Sequence, residues 1–441
     1  MRAILLIGLG FGDEGKGGAT DSLCRDYNAD LVIRFNGGHQ AGHRVQLDDG
    51  RSHVFSQFGS GTFAGARTYH TRHSMIEPGA MHREAKALGE LGVRRPFDFL
   101  SVSEDCLVTP KYLKLLNRVR ERVRGLQSGR HGSCGLGIGE TKRYYLRYGS
   151  DSIFAGDLKG TDNDLWAKLE LMRQRVFDEI SQLTAPNGIS PATSKLVGHR
   201  PLQEILQQLG SISPLVESKQ MRLDGMDISI SASGYLPSFK TVIFEGAQGL
   251  LLDEMFGFHP YTTWSTMTYK WALECLQHCS PSKIDVVKVG VTRAYHTRHG
   301  AGPFPTEDAN LSKRLSEAGN QPNNWQGTLR YGHLDMTLLK YAIQVANPDY
   351  LIVNHMDQYG APIAWNHTSD CLGSPIFQTL QESEMVGNAL RNMKVTYESL
   401  TAKAFLEHLG SVRPVAITSH GPTHRDRVKK IDLFANSLCA V

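Results

Sequence analysis

Residues 10–17, Gly-Phe-Gly-Asp-Glu-Gly-Lys-Gly, follow an apolar run and combine glycines, two carboxylates and a lysine. The spacing G-x-x-x-x-G-K is typical of a phosphate-binding loop between a strand and a helix, although Gly17 stands where Ser or Thr is usual. Glycines let backbone N–H groups approach phosphate oxygens, and Lys16 adds a positive charge. Asp13 and Glu14 would repel a bare phosphate, so they imply a bound cation or a proton to be transferred. A glycine-rich turn that holds a lysine by chance is the alternative, but the order of strand, glycines and lysine favours chemistry beside phosphate.

A second strand-like run, residues 29–35, leads into residues 36–43, Asn-Gly-Gly-His-Gln-Ala-Gly-His. Farther along, residues 244–249 read Phe-Glu-Gly-Ala-Gln-Gly and residues 300–307 read Gly-Ala-Gly-Pro-Phe-Pro-Thr-Glu. With residues 10–17, these blocks resemble the adenylosuccinate synthetase family, whose first two signatures are G-D-E-G-K-G and G-G-H-N-A-G-H. Because blocks in the family order extend over almost the whole chain, it is identified as a member of this superfamily, in a branch that the motifs do not specify.

The composition is that of an ordinary soluble globular protein, since 40% of the 441 residues are hydrophobic and 21% are charged. A formal net charge of +4 is too small to predict a nucleic-acid surface but suits anionic small substrates. The seven cysteines are scattered without a C-x-x-C pair, which favours free thiols in a reducing compartment. The chain begins with a strand-like run, and no apolar stretch reaches membrane-spanning length. We therefore expect a cytoplasmic protein that binds neither nucleic acid nor membranes.

Short apolar runs alternate with helical patterns along the chain, the clearest within residues 111–124 and 335–345. This alternation predicts an α/β fold, a single large domain of residues 1–441 around a mainly parallel sheet, with a phosphate-loop-like start and ligands at the carboxyl ends of the strands. The family resemblance implies the same fold. Residues 183–236 are expected to form a helical and loop-rich excursion and not a second domain. The predicted strands are residues 3–8, 29–35, 241–245, 284–290, 349–354 and 412–418.

The resemblance implies the family reaction, which joins aspartate to the 6-position of IMP with GTP as the phosphoryl donor. A purine 6-oxo group leaves poorly, so it is first phosphorylated. Removal of the N1 proton moves negative charge onto O6, which attacks the γ-phosphate of GTP, and the amine of the amino acid then displaces phosphate. The minimum equipment is a base beside the purine, a metal ion beside the phosphates and a hydrogen-bond donor at the γ-phosphate.

By resemblance, Asp13 is the catalytic base and also a ligand of Mg²⁺, the expected cofactor, together with the carbonyl group of Gly42. Carboxylate and carbonyl oxygens are ligands that Mg²⁺ prefers. His43 corresponds to the acid that stabilises charge on the transferred phosphoryl group, whereas a lone histidine is usually structural. The phosphate-loop residues expected to hold phosphate are Gly12, Gly15, Lys16 and Gly17.

The resemblance also implies a site for the purine nucleoside monophosphate. Gln248, which is assigned to catalysis as well, corresponds to a family residue beside the purine and its phosphate. Arg147 corresponds to an arginine that reaches the phosphate site of the neighbouring subunit, which implies a homodimer. Any of these groups could instead be an ordinary loop or capping residue. The expected nucleotide-binding residues are Gln40, which replaces the Asn of the family, Ser133, Cys134, Arg147, Gln248 and Thr263.

Recognition of the base of the donor is expected at Asp357, because a carboxylate can accept hydrogen bonds from N1–H and N2–H₂ of guanine and finds no such pair on adenine. Ser419 and Gly421 correspond to the loop on the other side of that base. His355 replaces the stacking lysine of the family, which would loosen the preference for GTP. Asp357 could alternatively do no more than cap a helix.

The segment that binds the carboxylates of aspartate departs from the family pattern T-T-G-R-R-R-R. Residues 323–332 contain a single arginine, Arg330, and Leu329 and Leu136 stand where the family has arginines. A dicarboxylate usually binds bidentate arginines, so cations are lost where the second substrate should lie. The amino acid, with aspartate as the first candidate, is expected at Arg330 with help from Arg298. Two alternatives stay open: a specialised paralog that uses a (deoxy)guanylate or another amine, and a non-catalytic nucleotide-binding regulator.

Overall fold

The computed structural model of the chain alternates strands and helices. It describes residues 1–127, 129, 131–184, 207, 209–221, 236–279, 284–315, 327–360, 362–365 and 379–435. In chain order the strands are β1 Arg2–Gly8, β2 Leu31–Arg34, β3 His43–Gln46, β4 Ser52–Phe55, β5 Arg67–His70, β6 Met75–Ile76, β7 Leu100–Val102, β8 Leu107–Val108, β9 Thr241–Gly249, β10 Asp285–Arg293, β11 Tyr295–Arg298, β12 Arg330–His333, β13 Tyr350–Asn354, β14 Ile363–Trp365, β15 Thr396–Glu398, β16 Val415–Ser419 and β17 Arg427–Lys429. The α-helices are α1 Lys16–Tyr27, α2 Pro78–Glu90, α3 Lys111–Gln127, α4 Ile138–Tyr148, α5 Asp162–Leu183, α6 Pro214–Met221, α7 Lys270–Gln277, α8 Ala309–Arg314, α9 Met336–Ala346, α10 Leu380–Arg391 and α11 Ala402–Val412.

Nine strands form the central sheet in the order β17-β16-β13-β10-β1-β9-β2-β5-β7. All neighbours pair in parallel except the edge strand β17, which runs antiparallel to β16. The prediction of an α/β fold around a mainly parallel sheet is therefore confirmed. Each predicted strand is present, and β9 and β10 continue beyond their apolar runs toward the carboxyl edge.

Strand β1 lies at the centre of the sheet and is buried on both of its faces. Ile4 and Leu6 pack in one apolar cluster, whereas Leu5 and Ile7 pack in another on the opposite side of the sheet. Alternate side chains of a strand point to opposite faces, so a strand between two helical layers must be apolar at every position. This requirement explains the unbroken apolar run in the sequence.

The loops that carry the sequence motifs follow strands of this sheet at its carboxyl edge. Residues 10–17 follow β1, residues 36–43 follow β2, residues 355–357 follow β13 and residues 420–422 follow β16. Parallel strands end at the same edge, so the sheet brings together motifs that are far apart in the sequence.

The two predicted helices are also present, with shifted ends. The helix predicted for residues 111–124 continues to residue 127. Helix α9 begins one residue later than expected because Asp335 is its N-cap: Oδ1 accepts hydrogen bonds from the N–H groups of Thr337 and Leu338 at 3.0 and 3.1 Å. An N-cap residue has an extended backbone and lies just outside the helix.

The predicted excursion of residues 183–236 falls largely outside the described residues, so its character stays a prediction. Within it, α6 packs against α2 and α5, and Oε1 of Glu217 accepts a hydrogen bond from the N–H group of Lys111 at 3.1 Å. In the described ranges, no helix is both long enough and apolar enough to cross a bilayer.

Gly17 allows the phosphate-loop helix to lie directly against β3. A Cβ atom on Gly17 would lie 2.6 Å from the carbonyl oxygen of Arg44 and 2.8 Å from the carbonyl carbon of His43. These are backbone atoms that cannot rotate away, so Gly17→Ala should reduce the free energy of unfolding by about 1–3 kcal/mol. Gly89 in α2 has open space around a Cβ, and Gly89→Ala should leave stability equal or higher by up to about 1 kcal/mol. Urea unfolding of both variants checks the contact, and equal midpoints for the two would contradict it.

Candidate active site

The loop between β1 and α1 is shaped by left-handed backbone conformations. The angle φ is 99° at Gly12, 60° at Asp13 and 82° at Gly15, values that glycine adopts freely and other residues adopt rarely. Gly15 is the N-cap of α1, and no side chain in the described residues caps this helix. The N–H groups of its first turn are therefore left for a ligand, and the helix dipole favours an anion there.

Glu14 is buried inside this loop, and its carboxylate holds the loop together. Its Oε1 accepts hydrogen bonds from the N–H groups of Gly10 and Gly12 at 3.0 and 2.8 Å, and its Oε2 lies 2.6 Å from Nζ of Lys16. Lys16 also donates to the carbonyl oxygen of Gln248. In this arrangement the ammonium group stabilises the loop, which differs from the expectation of a cation that faces phosphate. One of the two loop carboxylates is thus explained by its buried lysine and amide partners.

Asp13, the other loop carboxylate, faces outward and is 28% exposed. Nη1 of Arg293 donates to its carbonyl oxygen at 2.5 Å, and Nε2 of His299 donates to Oδ2 at 2.8 Å. Burial alone would raise the pKa of Asp13, but the hydrogen bond and charge of His299, with the charges of Arg293 and Lys16, lower it to about 2. Asp13 is therefore ionised at neutral pH, as a base or a metal ligand must be.

His43 belongs to a second buried charge cluster, at the start of β3. Its Nδ1 lies 2.7 Å from Oε1 of Glu245, and Nη1 of Arg34 donates to Oε2 of Glu245 at 3.3 Å. Ser60 donates its N–H and its hydroxyl to the same carboxylate. Burial lowers the pKa of His43, Glu245 opposes that effect, and the charges of Arg34 and Lys16 lower it further. The cluster holds the imidazole ring in one orientation. Nδ1 faces Glu245, and Nε2 is the ring nitrogen on the side away from that carboxylate.

The phosphate loop and the loop before β3 are in contact. The approach of Gly17 to the backbone of His43 places the first turn of α1 beside the histidine. Gly42, the expected second metal ligand, immediately precedes His43, and its N–H group donates to the carbonyl oxygen of Gln40 at 3.1 Å. The structure therefore brings the expected phosphate-binding amides and the expected acid together at one edge of the sheet.

Residues 36–43 also contact β9 and the start of α4. A Cβ on Gly37 would lie 2.5 Å from Cβ of Ala247, and a Cβ on Gly38 would lie 2.5 Å from Cδ1 of Ile138. Gly37, which also has φ of 66°, must be glycine for its approach to Ala247. A loop, the end of a strand and the start of a helix, from distant parts of the sequence, consequently form one surface beside the phosphate loop.

Several buried polar atoms on this surface have no hydrogen-bond partner in the described part of the chain. They are Oε1 of Gln40, Oε1 of Gln248 and both ring nitrogens of His39. Burial and the charge of Lys114 lower the pKa of His39 to about 3, so its imidazole is neutral. A buried polar atom without a partner costs about 1–3 kcal/mol, and such atoms are typical of a site that a ligand completes. The nucleotide-binding role of Gln40 and Gln248 stays a prediction.

Trp264, which follows Thr263 in the sequence, lies beside the start of α4. A Cβ on Gly139, in the first turn of α4, would lie 3.1 Å from Cδ1 of the neighbouring Trp264. The N-cap of α4 is Gly137, with φ of 85°, and no described side chain caps the helix. The free N–H groups near Thr263 suit a second phosphate group.

The remaining expected monophosphate residues differ in exposure. Oγ of Ser133 donates to Oδ1 of Asn117 at 3.0 Å, so it orders the loop before α4. Burial raises the pKa of Cys134 to about 11, which makes it an inert thiol. Arg147 is exposed in the last turn of α4, where it lies over the ring of Tyr148. Exposure is compatible with a contact across a subunit interface.

The residues expected to bind the base of the donor follow adjacent strands. Asp357 is exposed just after β13 and accepts a hydrogen bond from Nε2 of Gln358 at 2.9 Å. Ser419 ends β16, and its Oγ donates to the carbonyl oxygen of Gly421 at 2.8 Å. Burial and the charges of Arg293 and Arg427 lower the pKa of His355 to about 2, so it carries no charge where the family has lysine.

The two arginines expected at the amino-acid site form hydrogen bonds with groups of the protein itself. Arg298 is buried, and its guanidinium group donates to the carbonyl oxygens of Ala301, Pro303 and Tyr261. Arg330 forms a bidentate ion pair with Glu307 and donates to the carbonyl oxygens of residues 300 and 302. Arg298 therefore organises a loop instead of facing a substrate, because a buried guanidinium group must satisfy its donors. Residues 323–326 of the expected amino-acid loop lie outside the described residues.

Sequence reasoning missed four residues of this site: Glu245, Arg293, His299 and Asn354. Glu245 and Arg293 lie in strands β9 and β10 and are buried. A charged residue in a buried strand was a usable signal, since such residues are almost never buried without a partner. The contact of His299 with Asp13 had no local signal, because 285 residues separate the two positions.

Comparisons with known proteins point to one family. The sequence profile described as Adenylosuccinate synthetase matches residues 5–368. The adenylosuccinate synthetase of Desulforudis audaxviator is 33% identical over 362 residues, which are 81% of this chain and 77% of the relative. The chain belongs to the adenylosuccinate synthetase family. The enzyme of Thermoplasma volcanium is 31% identical over 81% of this chain and 76% of its own.

Two solved structures share the fold of this adenylosuccinate synthetase family member. The fully ligated adenylosuccinate synthetase of Plasmodium falciparum has a TM-score of 0.70 at 20% identity and covers 97% of this chain and 99% of its own. The succinoaminodeoxyadenylate synthetase (PurZ) of cyanophage S-2L, bound to dGMP and to dATP as energy donor, has a TM-score of 0.60 at 16% identity and covers 99% and 97%. Membership of the adenylosuccinate synthetase family confirms the expected class, a GTP-dependent ligase of purine biosynthesis. The profile match ends before Ser419 and Gly421.

Glu245 should be essential to the His43 cluster of this adenylosuccinate synthetase-type site. Glu245→Gln leaves Arg34 buried without its anion, so the free energy of unfolding should fall by about 3–5 kcal/mol. The charges of His43 and Arg34 overcome the effect of burial and lower the pKa of Glu245 from 4.5 to about 2. Its ionised form therefore stabilises the fold above pH 4.5, and this stabilisation is lost as the pH falls toward 2.

The control is Ser60→Ala, which removes one donor to the same carboxylate and should cost only about 1 kcal/mol. Urea unfolding at neutral and acidic pH measures both variants, and the difference between wild type and Glu245→Gln should shrink at low pH. A difference that stays constant with pH would show that the cluster does not depend on the charge of Glu245.

Proposed function

We propose that this chain activates the 6-oxo group of a purine nucleoside monophosphate with GTP and joins an amino acid to C6, with IMP and aspartate as first candidates. The observation that supports it most strongly is the phosphate loop, which holds an ionised carboxylate, Asp13, and whose Gly17 lies against the backbone of His43. A loop for phosphate needs no outward carboxylate. Its presence is explained if the loop also accepts a proton from a purine.

Asp13 is proposed to accept the N1 proton of the purine. Its low pKa keeps it deprotonated before the reaction, and its contacts with Arg293 and His299 hold it in one orientation. A carboxylate with so low a pKa is a weak base, so proton transfer must be coupled to attack of O6 on the γ-phosphate. The negative charge that develops on O6 then passes at once to the phosphoryl group.

His43 is proposed to donate a hydrogen bond to the transferred phosphoryl group. Glu245 engages Nδ1 and opposes the lowering of the His43 pKa by burial, and Nε2 would be the nitrogen that donates to the substrate. The N–H groups at the start of α1 would bind other oxygens of the same phosphate. Donors that are already oriented stabilise developing charge without reorganisation.

The residues present fit a Mg²⁺ ion bound by Asp13 and the carbonyl group of Gly42. Among the described residues no cluster of three or more His, Cys, Asp or Glu could hold a metal ion, so most of its ligands would be phosphate oxygens and water. Mg²⁺ is commonly bound in this way, by one or two protein oxygens together with substrate phosphates. The ion would neutralise charge on the phosphates of the donor.

The two nucleotides are proposed to bind on opposite sides of the phosphate loop. The monophosphate would contact Gln40, Gln248, Thr263 and the start of α4, where buried polar atoms lack partners. The donor base would lie between Asp357 and the loop of residues 419–421. Arg147 is proposed to complete the monophosphate site of a second subunit, which makes the chain a homodimer in a cytoplasmic setting.

Aspartate remains the first candidate for the amine, with one condition. Arg330 would have to exchange Glu307 for the substrate carboxylate, since the ion pair occupies it here. Leu329 is buried in the apolar core and contributes no charge. The second candidate function is a paralog that acts on a guanylate, and the fold shared with the cyanophage synthetase bound to dGMP favours it.

Asp13→Asn should lower turnover by about 10²–10⁴, because the amide keeps the shape of the side chain but cannot accept a proton. Binding of GTP should change by only a few-fold, since the loop N–H groups remain. Phosphate release and calorimetric titration with GTP measure the two quantities. Asp49→Asn, an exposed substitution outside the site, is the control. Turnover of Asp13→Asn close to that of wild type would contradict the role of base.

A substrate panel tests the proposed function directly. IMP, GMP and dGMP are each combined with GTP or ATP and with aspartate, glutamate, asparagine or glycine, and products are identified by mass. The proposal predicts phosphate release that depends on both purine and amino acid. Release with IMP and aspartate supports the first candidate, and release with dGMP or GMP supports the second. Nucleotide binding without any product would identify a regulator and contradict the enzyme.

A further inference from the structure

Arg427 lies beside the first turn of α1, although the two are more than 400 residues apart in the sequence. Its Nη1 donates to Oδ1 of Asn354 at 2.9 Å. A Cβ on Gly18, in the first turn of α1, would lie 2.7 Å from Nη2 of Arg427 and 3.9 Å from the carbonyl oxygen of Pro422. The guanidinium group is thus located between the helix that follows the phosphate loop and the loop proposed to bind the donor base.

The charge of Arg427 has no direct counter-ion. Within the described ranges no carboxylate lies within 4.0 Å of it, and its Nε is buried without a hydrogen-bond partner. Asp21 is the acid with the largest effect on the pKa of Arg427, but both of its carboxylate oxygens accept hydrogen bonds from Arg25. Asp426 accepts the N–H and hydroxyl groups of Thr423. Burial lowers the pKa of Arg427 to about 10, so it stays protonated and costs free energy until an anion binds.

Asn354 connects Arg427 to the phosphate loop itself. Its Nδ2 donates to the carbonyl oxygens of Glu14 and Gly15 at 2.7 and 3.3 Å, while its Oδ1 accepts from Arg427. These contacts fix two carbonyl groups at the start of α1, while Nη2 of the same guanidinium group lies beside Gly18 in the first turn of that helix. A guanidinium group beside the uncapped first turn of a helix suits a phosphate of a nucleoside diphosphate or triphosphate.

We propose that Arg427 binds the α- or β-phosphate of the donor nucleotide, an inference that rests on the proposed use of a nucleoside triphosphate. The position between the base loop and the phosphate loop favours these phosphates over the γ-phosphate, which would lie toward His43. Arg427 would supply a positive charge to the phosphates of the donor. His355 is neutral and cannot supply it, and the ammonium group of Lys16 is paired with Glu14.

The test is calorimetric titration of wild type, Arg427→Ala and Arg427→Lys with GDP and guanosine. Loss of a charge-assisted hydrogen bond should raise the Kd of GDP by about 10- to 100-fold in Arg427→Ala, while guanosine binding changes little. Arg427→Lys keeps the charge and should retain most of the affinity. Arg425→Ala is the matched control, because Arg425 lies on the same loop, is exposed and pairs with Asp48. Its Kd should equal that of wild type.

Two results would overturn the inference. An unchanged Kd of GDP in Arg427→Ala would exclude a phosphate contact, and an equal loss for GDP and guanosine would reduce Arg427 to a structural support of the loop. Urea unfolding identifies a variant that fails to fold, in which case Arg427→Lys and Arg427→Gln decide. Wild type that binds no GDP at all would instead contradict the proposed function, and the inference with it.

Discussion

The buried carboxylate of Glu14 determines the shape of the phosphate loop, and the rest of the site depends on that shape. By accepting the N–H groups of Gly10 and Gly12 and pairing with Lys16, it folds the loop inward and leaves Asp13 in a left-handed conformation that faces out. Buried ion pairs of this kind stabilise little by themselves but favour one geometry. Here that geometry presents a carboxylate and a row of backbone N–H groups to the same space.

Two ionised carboxylates, Asp13 and Glu245, organise the chemistry on either side of this loop. Cationic partners lower the pKa of each to about 2, so both keep their charge through the physiological range. One orients the expected acid, His43, and the other is the expected base. Fixed charges and dipoles of this kind stabilise the charge that develops in a reaction without moving, whereas water molecules would first have to reorient. The close contact of Gly17 with β3 is what allows the two groups to share one edge of the sheet.

The family, the parallel sheet and the main site motifs could be predicted from the sequence, because they are encoded in continuous runs such as residues 10–17 and 36–43. The partners of charged residues could not, because they depend on contacts between distant segments. Lys16 was expected to face phosphate but pairs with Glu14, and Arg298 was expected to face the amino acid but binds three carbonyl oxygens. Arg427 is not among the predicted site residues, and its place beside α1 results from the antiparallel edge strand β17.

Positional oxygen labelling tests the central claim, that the purine O6 is phosphorylated before an amine displaces it. The purine monophosphate that is active in the substrate panel is labelled with ¹⁸O at O6 only and converted in unlabelled water with unlabelled donor. In the proposed reaction O6 forms a bond to the γ-phosphorus, the C6–O6 bond then breaks, and O6 leaves with the phosphate. Mass spectrometry should therefore find one ¹⁸O atom in each inorganic phosphate and none in the purine product. Phosphate without the label would contradict the account.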